Sequence, residues 1–270
     1  MIVLVLLLHW AISGAVLQTL LALLEFLGAA LVSIVLAYFL LIHFVSKAGA
    51  GIYELKPSEI TKEFDLQLRA ASSWLYKGNF GRYLRGKVLP DLSKAYAGLS
   101  VVACIIDPRN IDLCSKHAGY RGRINSIDKG HAYTESTVAL QVLVTIVVCA
   151  WYVSNKNMNI RLFLTKTYDP VRVDSNGQSM IVTVEDRRSP ALKLDKDYFM
   201  FSHFTSQLDT AREQGSEVVF SGFRNCSISD ISESDVELVI RGAGLDVVLD
   251  RVAAADVARE CGQVNNPYES

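Results

Sequence analysis

The sequence is poor in the groups that bind metals or crosslink chains. Its five cysteines never form a C-x-x-C pair. That argues against a cysteine-rich zinc site and a disulfide framework, and favours a reducing compartment. The five histidines, His9, His43, His117, His131 and His203, show no metal-ligand spacing, and no H-E-x-x-H occurs. No G-x-S-x-G elbow, G-x-x-x-x-G-K-[ST] loop or G-x-G-x-x-G turn is present. No metal and no cofactor is therefore expected. Six prolines and 17 glycines exclude collagen-like and low-complexity sequence. A net charge of −1, from 27 basic and 28 acidic residues, argues against a strongly basic nucleic-acid binder. Half of the 270 residues are hydrophobic and mean hydropathy is +0.25, which excludes a disordered chain.

The sharpest absence is at the start. Residues 1–46 contain no Lys, Arg, Asp or Pro, and their only ionisable side chains are His9, Glu25 and His43. A bilayer crossing needs about 20 apolar residues, so the stretch has room for two. The expected arrangement is a transmembrane hairpin, Ile2–Leu23 and Leu27–Phe44, turning at Glu25–Gly28. A signal peptide fits poorly, because no basic segment precedes the long apolar run. Lys47, Lys56 and Lys62 follow it, so the positive-inside rule places the rest of the chain in the cytoplasm of an inner membrane. Thr137–Val153 is a further run without charge. Its 17 residues are at the lower limit for a span, and it reads as a buried core helix.

The remainder alternates strand and helix. Strands are expected at Ser72–Tyr76, Val101–Ile106, Ile160–Thr165, Ser179–Val184 and Glu217–Phe220. Helices are expected at Arg82–Leu99, interrupted by Pro90, and at Ile111–Gly119 and Asp197–Gln214. The fold class is α/β: a hairpin over 1–46, a linker over 47–69, a sandwich with a mixed sheet over 70–222, and a helical cap over 223–270. Lys77–Lys129 carries ten basic and four acidic residues, whereas Gln207–Ser270 carries five Arg against twelve acids. The acidic cap either lies against the basic face, or that face is exposed for phosphates of lipid or nucleic acid.

The most distinctive segment is Trp74–Arg85. A strand ends there, Gly78 and Gly81 shape a turn, and Arg82 and Arg85 open a helix at the surface, where backbone amides and guanidiniums can hold an anion. With Lys77 they form the candidate binding set. Asp107 and Arg109 join it because Asp107 ends a core strand, and ligands gather at the carboxyl ends of strands in open α/β sheets. The competing reading of Asp107 is an Asp-Pro turn capping the next helix. Cys226 and Cys261 lack an activating pattern.

The order W-x-Y-x-G-x-x-G-R-Y-x-R, I-I-D-P-R-N, a long apolar helix, IRLFLT and residues 172–184 resembles a phospholipase D-like domain over 70–222. The H-x-K-x-x-x-x-D motif of that family is missing. Arg172 and Asp174 stand in place of its His and Lys, so no catalytic residue carries over and no phosphohistidine chemistry is implied. A membrane hairpin on such a domain is also similar in plan to two-transmembrane effectors of bacterial antiphage systems, notably retrons. That resemblance implies a membrane toxin held inactive by a protein partner such as reverse transcriptase with its RNA–DNA hybrid, and self-association in the membrane. It leaves two alternatives: a membrane-tethered sensor of a phosphorylated ligand such as a cyclic nucleotide, and an active lipid- or nucleotide-processing enzyme.

Overall fold

The computed structural model describes residues 2–40, 51–95, 99–124, 133–220, 222–264 and 266. Phe44, His43, Lys47, Lys129, His131 and the residues at 96–98 therefore lie outside the described residues. The chain divides into two units, Met1–Ala50 and Gly51–Ser270.

Among the described residues of the first unit, one helix, α1, runs from Ile2 to Leu40 without interruption. The expected turn at Glu25–Gly28 does not form. No proline is present to break the helix, and one glycine costs only about 1 kcal/mol there, against flanks of Leu and Ala. At 1.5 Å per residue its 39 residues extend roughly 58 Å, nearly twice a hydrocarbon core of about 30 Å. Within it Gln18–Leu40 is long and apolar enough to cross a membrane, with none of that stretch buried in protein.

The second unit is built on one eight-stranded mixed sheet. Its strands are β1 (Ile52–Leu55), β2 (Ser73–Lys77), β3 (Ser100–Ile106), β4 (Asn159–Thr165), β5 (Val171–Ser175), β6 (Ser179–Val184), β7 (Ala191–Asp195) and β8 (Ser216–Glu217). The spatial order is β1-β7-β6-β5-β2-β3-β4-β8. Only β2, β3 and β4 run parallel, and every other pairing is antiparallel. The expected last strand is thus only two residues long, at the sheet edge.

Residues 51–69 do not form a linker. They supply β1, paired with β7, and α2 (Pro57–Arg69). Phe64 and Leu68 of α2 enter the main core. The charged residues that disguise this segment occupy the outer face of an amphipathic helix.

After β2 the chain enters a π-helical turn at Leu84–Val88 and then α3, Leu89–Ala95. Pro90 does not interrupt it. The Leu89 amide bonds to the Leu84 carbonyl five residues back, and this widened turn sits where a proline would otherwise leave a carbonyl without its donor.

Next comes α4 (Ile111–Arg121), whose first turn is capped by Asn110 Oδ1 accepting from the Leu113 amide at 3.1 Å. The apolar run becomes α5, Glu135–Lys156, with 14 of its residues buried, and is a core helix as expected. It packs against α4, β4, α7 (Glu233–Gly242) and α8 (Ala254–Cys261). The opposite sheet face carries a thinner layer. There α6 (Phe199–Gln214) covers Cys104 and Phe163 with Leu208 and Ala211. From residue 223 onward the described chain carries α7 and α8, which join the main core through Val236, Val239, Ile240 and Val257.

Candidate functional site

The parallel strands set the geometry. The carboxyl ends of β2, β3 and β4, the carboxyl end of β6 and the start of β5 all meet at one edge of the sheet. Ligands in open α/β sheets collect at such an edge. Here a cleft of about 110 Å³ opens between that edge and the first turn of α2. Pro57, Ile60, Thr61 and Phe64 come from α2; Tyr76, Phe80, Gly81, Arg82 and Tyr83 come from β2 and its turn. Arg121 ends α4, Arg172 opens β5, and Thr183, Val184, Glu185, Asp186 and Arg187 close β6. Four arginines against two carboxylates make the lining cationic, and four aromatic rings make its floor apolar.

The turn between β2 and the helix is tightly specified. Gly81 has φ +74°, and a Cβ there would lie 2.7 Å from Thr145 Cγ2. At Gly78 a Cβ would collide with the Tyr76 hydroxyl. Arg85 ties the turn to α5. It is buried, not at the surface as expected, and donates to Phe80 O at 3.3 Å, Gln141 O at 3.0 Å, Thr145 Oγ1 at 2.6 Å and Gln141 Oε1. Burial, reinforced by the nearby Arg82 charge, lowers its pKa to about 10. Arg85 therefore positions the turn and does not face the cleft.

Of the residues expected to bind, the structure brings only Gly81 and Arg82 to the cleft wall. Lys77 ends β2 and pairs with Asp169. Asp107 receives Arg109 in a fork, Nε to Oδ1 at 2.9 Å and Nη2 to Oδ2 at 2.7 Å, plus the Arg109 amide at 2.9 Å. Its carboxylate is thus used inside its own turn, and the cap of the following helix is Asn110 rather than Asp107. Lys87 pairs with Asp65 and Asp91, and Arg121 with Glu185. In none of these pairs does the carboxylate come from the acidic C-terminal helices.

The Arg172–Asp174 pair is internal to the wall. Arg172 Nε donates to Asp174 Oδ2 at 2.8 Å, and Trp74 Nε1 donates to Oδ1 at 3.3 Å. The Arg172 guanidinium lies 4.7 Å from the Tyr83 ring centroid and 5.0 Å from that of Phe64. Burial pushes the Asp174 carboxyl above its usual range, against the pull of Arg172.

Sequence reasoning missed Arg121, Arg187, Glu185, Asp186 and the aromatic floor. The one available signal was the charged run Glu185–Arg188 directly after a strand. Among the described residues no group of three or more His, Cys, Asp or Glu side chains is placed to hold a metal ion. Cys104, Cys149 and Cys261 are buried free thiols pushed up to about 12, which leaves them unreactive.

No protein-family model and no curated relative matches the sequence. Among solved structures the chain is similar to the archaeal chromatin protein TrmBL2, at 11% identity and a TM-score of 0.37. That match covers 72% of this chain and 66% of TrmBL2, just under two thirds of its length. The chain is also similar to Nuc from Salmonella typhimurium, a phospholipase D family member, at 11% identity and a TM-score of 0.34 over 62% of this chain and 96% of that one. At these values neither likeness assigns an activity.

Proposed function

We propose that this chain is a membrane-anchored binding protein: α1 holds it to the bilayer, and the 51–270 unit takes a phosphorylated ligand in its cleft. The observation behind this reading is the convergence of four guanidiniums and four aromatic rings on one concave wall at the carboxyl edge of the sheet. Guanidiniums suit phosphoryl oxygens, and an apolar floor suits a flat or hydrocarbon body. The role assigned is binding and not turnover. The test is titration of the full chain, in detergent, with pyrophosphate and with a cyclic nucleotide. Binding should weaken at least tenfold in the Arg82→Ala, Arg187→Ala double variant. Equal binding by that variant and the wild type would remove the cleft from the account.

The length and exposure of α1 favour a second reading of what the anchored protein does. It is an effector, or toxin, of an antiphage system, restrained by a partner ribonucleoprotein and damaging the inner membrane on release. A helix of 39 residues exceeds what anchoring alone requires. In this reading, expression of the full chain without a partner depolarises cells, and removal of residues 1–46 abolishes the effect. A fully toxic fragment lacking those residues would sink it. That fragment should also leave the membrane fraction.

A further inference from the structure

Glu185 stands where the cleft meets a buried polar cluster. It lines the cleft, while its carboxylate accepts from Asn79 Nδ2 at 3.2 Å and Arg121 Nη1 at 3.0 Å. Behind it His117 is fully buried, with Nε2 3.7 Å from Glu185 Oε2, beyond hydrogen-bond reach. Among the described residues neither ring nitrogen of His117 has a hydrogen-bond partner, and the Tyr168 hydroxyl and Asn79 Oδ1 are buried without one too. Buried polar atoms are nearly always paired, so several together need an explanation. Here a histidine with two unused nitrogens faces a carboxylate that Arg121 holds just out of reach.

We propose that Glu185 is a built-in stand-in for a ligand's phosphoryl group at Arg121, and that an arriving phosphoryl group displaces it onto His117. The inference rests on the cleft reading above and names the subsite within it. A guanidinium accepts a carboxylate or a phosphoryl group in the same fork. A displaced carboxylate cannot stay buried and unpaired, and the His117 ring is the group within one short movement. His117 takes one proton from solvent and donates it in a hydrogen bond to Glu185; no covalent bond changes. Before that, burial above all keeps His117 neutral, with a pKa near 4, helped by the Arg121 charge and opposed by Glu185. The groups facing the ring are Tyr120 and Arg121 of its own helix, Tyr168 after β4 and Glu185 after β6. Phe80, on the β2 turn, brings no charge. Ligand binding at Arg121 is therefore coupled to proton uptake. The phosphoryl group belongs either to a soluble compound or to a lipid headgroup.

The test uses the full chain in phosphatidylcholine nanodiscs, with the His117 ring followed by NMR and assigned through His117→Gln. Sulfate serves as a tetrahedral dianion without a titrating proton near neutrality, and discs doped with phosphatidic acid present the lipid source. Binding should raise the His117 pKa from about 4 toward the ordinary 6.5. Sulfate affinity should then tighten roughly twentyfold from pH 7 to pH 5, and this dependence should vanish in His117→Gln. Without any ligand, Arg121→Gln should raise the His117 pKa and Glu185→Gln should lower it. A response to sulfate alone assigns a soluble ligand; a response to phosphatidic acid alone assigns a headgroup. Anion binding that leaves His117 untouched overturns the stand-in while sparing the cleft. Failure of every anion to bind overturns the cleft reading and the stand-in with it.

Discussion

Two helices in this protein have nearly the same composition and opposite surroundings. The most apolar 18-residue windows of Gln18–Leu40 in α1 and of Glu135–Lys156, which is α5, have mean hydropathies of 2.5 and 2.0. None of the most apolar 18-residue window of that α1 stretch is buried, whereas 78% of the corresponding window of α5 is buried in protein. Hydropathy measures the free energy of leaving water and is silent on what replaces it. The difference lies in the sparse polar residues. Gln141 and Thr145 of α5 have fixed partners: both bond to Arg85, and Gln141 Nε2 reaches Glu260 at 3.4 Å. Ser33 of α1 bonds only to its own helix, at the Ala29 carbonyl.

The comparison is sharpest under insertion of a charge. Ile146→Asp places a carboxylate in the fully buried face of α5 and should destabilise the 51–270 unit by roughly 4–5 kcal/mol. Leu31→Asp in α1 should leave that unit's melting temperature unchanged and act only on membrane partition, by roughly 2.5–3.5 kcal/mol. Equal melting temperatures for the two variants would mean α5 is not the core helix described.

A smaller effect comes from His117, a buried residue of α5's neighbour α4. Its folded pKa of about 4 lies below the ordinary 6.5, so the unfolded chain binds more protons between those values. Stability is present above pH 6.5 and lost as pH falls through 4, by roughly 3 kcal/mol. Urea titrations at pH 7 and pH 4 should show this loss in the wild type and lack it in His117→Gln.

The smallest concerns the polar side of α5. Arg85→Ala strands Gln141 Oε1, while the Phe80 carbonyl keeps the Thr145 hydroxyl, and should cost about 2–3 kcal/mol. Arg82→Ala, at the cleft wall, should change thermal stability by less than about 0.5 kcal/mol. The reverse ranking would exchange the structural and binding roles given to these two arginines.

Much of the strand pattern was legible, because β3, β4 and β6 are short apolar runs bounded by turn residues. β1, α2 and β7 were not, since each carries charges that only sheet pairing and an amphipathic face explain. Of the cleft, the turn with Gly81 and Arg82 could be read from spacing. Arg121, Arg172 and Arg187 could not. They lie on α4, on β5 and in the turn after β6, up to 66 positions apart in the chain.

The sequence by itself determined that residues 1–46 form an apolar stretch fit for a membrane, that 137–153 is a second uncharged run at the lower limit for a span, and that an α/β unit follows. These are local properties of composition and period. Only the tertiary structure decided that α1 continues through Gly28, that Arg85 is buried and Arg82 is not, and that Glu185 stands between Arg121 and His117. The reason is physical. Two arginines three residues apart are equivalent until a neighbouring helix offers one of them carbonyls in place of water. A carboxylate acquires a role only when the fold sets its competing partners 3.0 and 3.7 Å away.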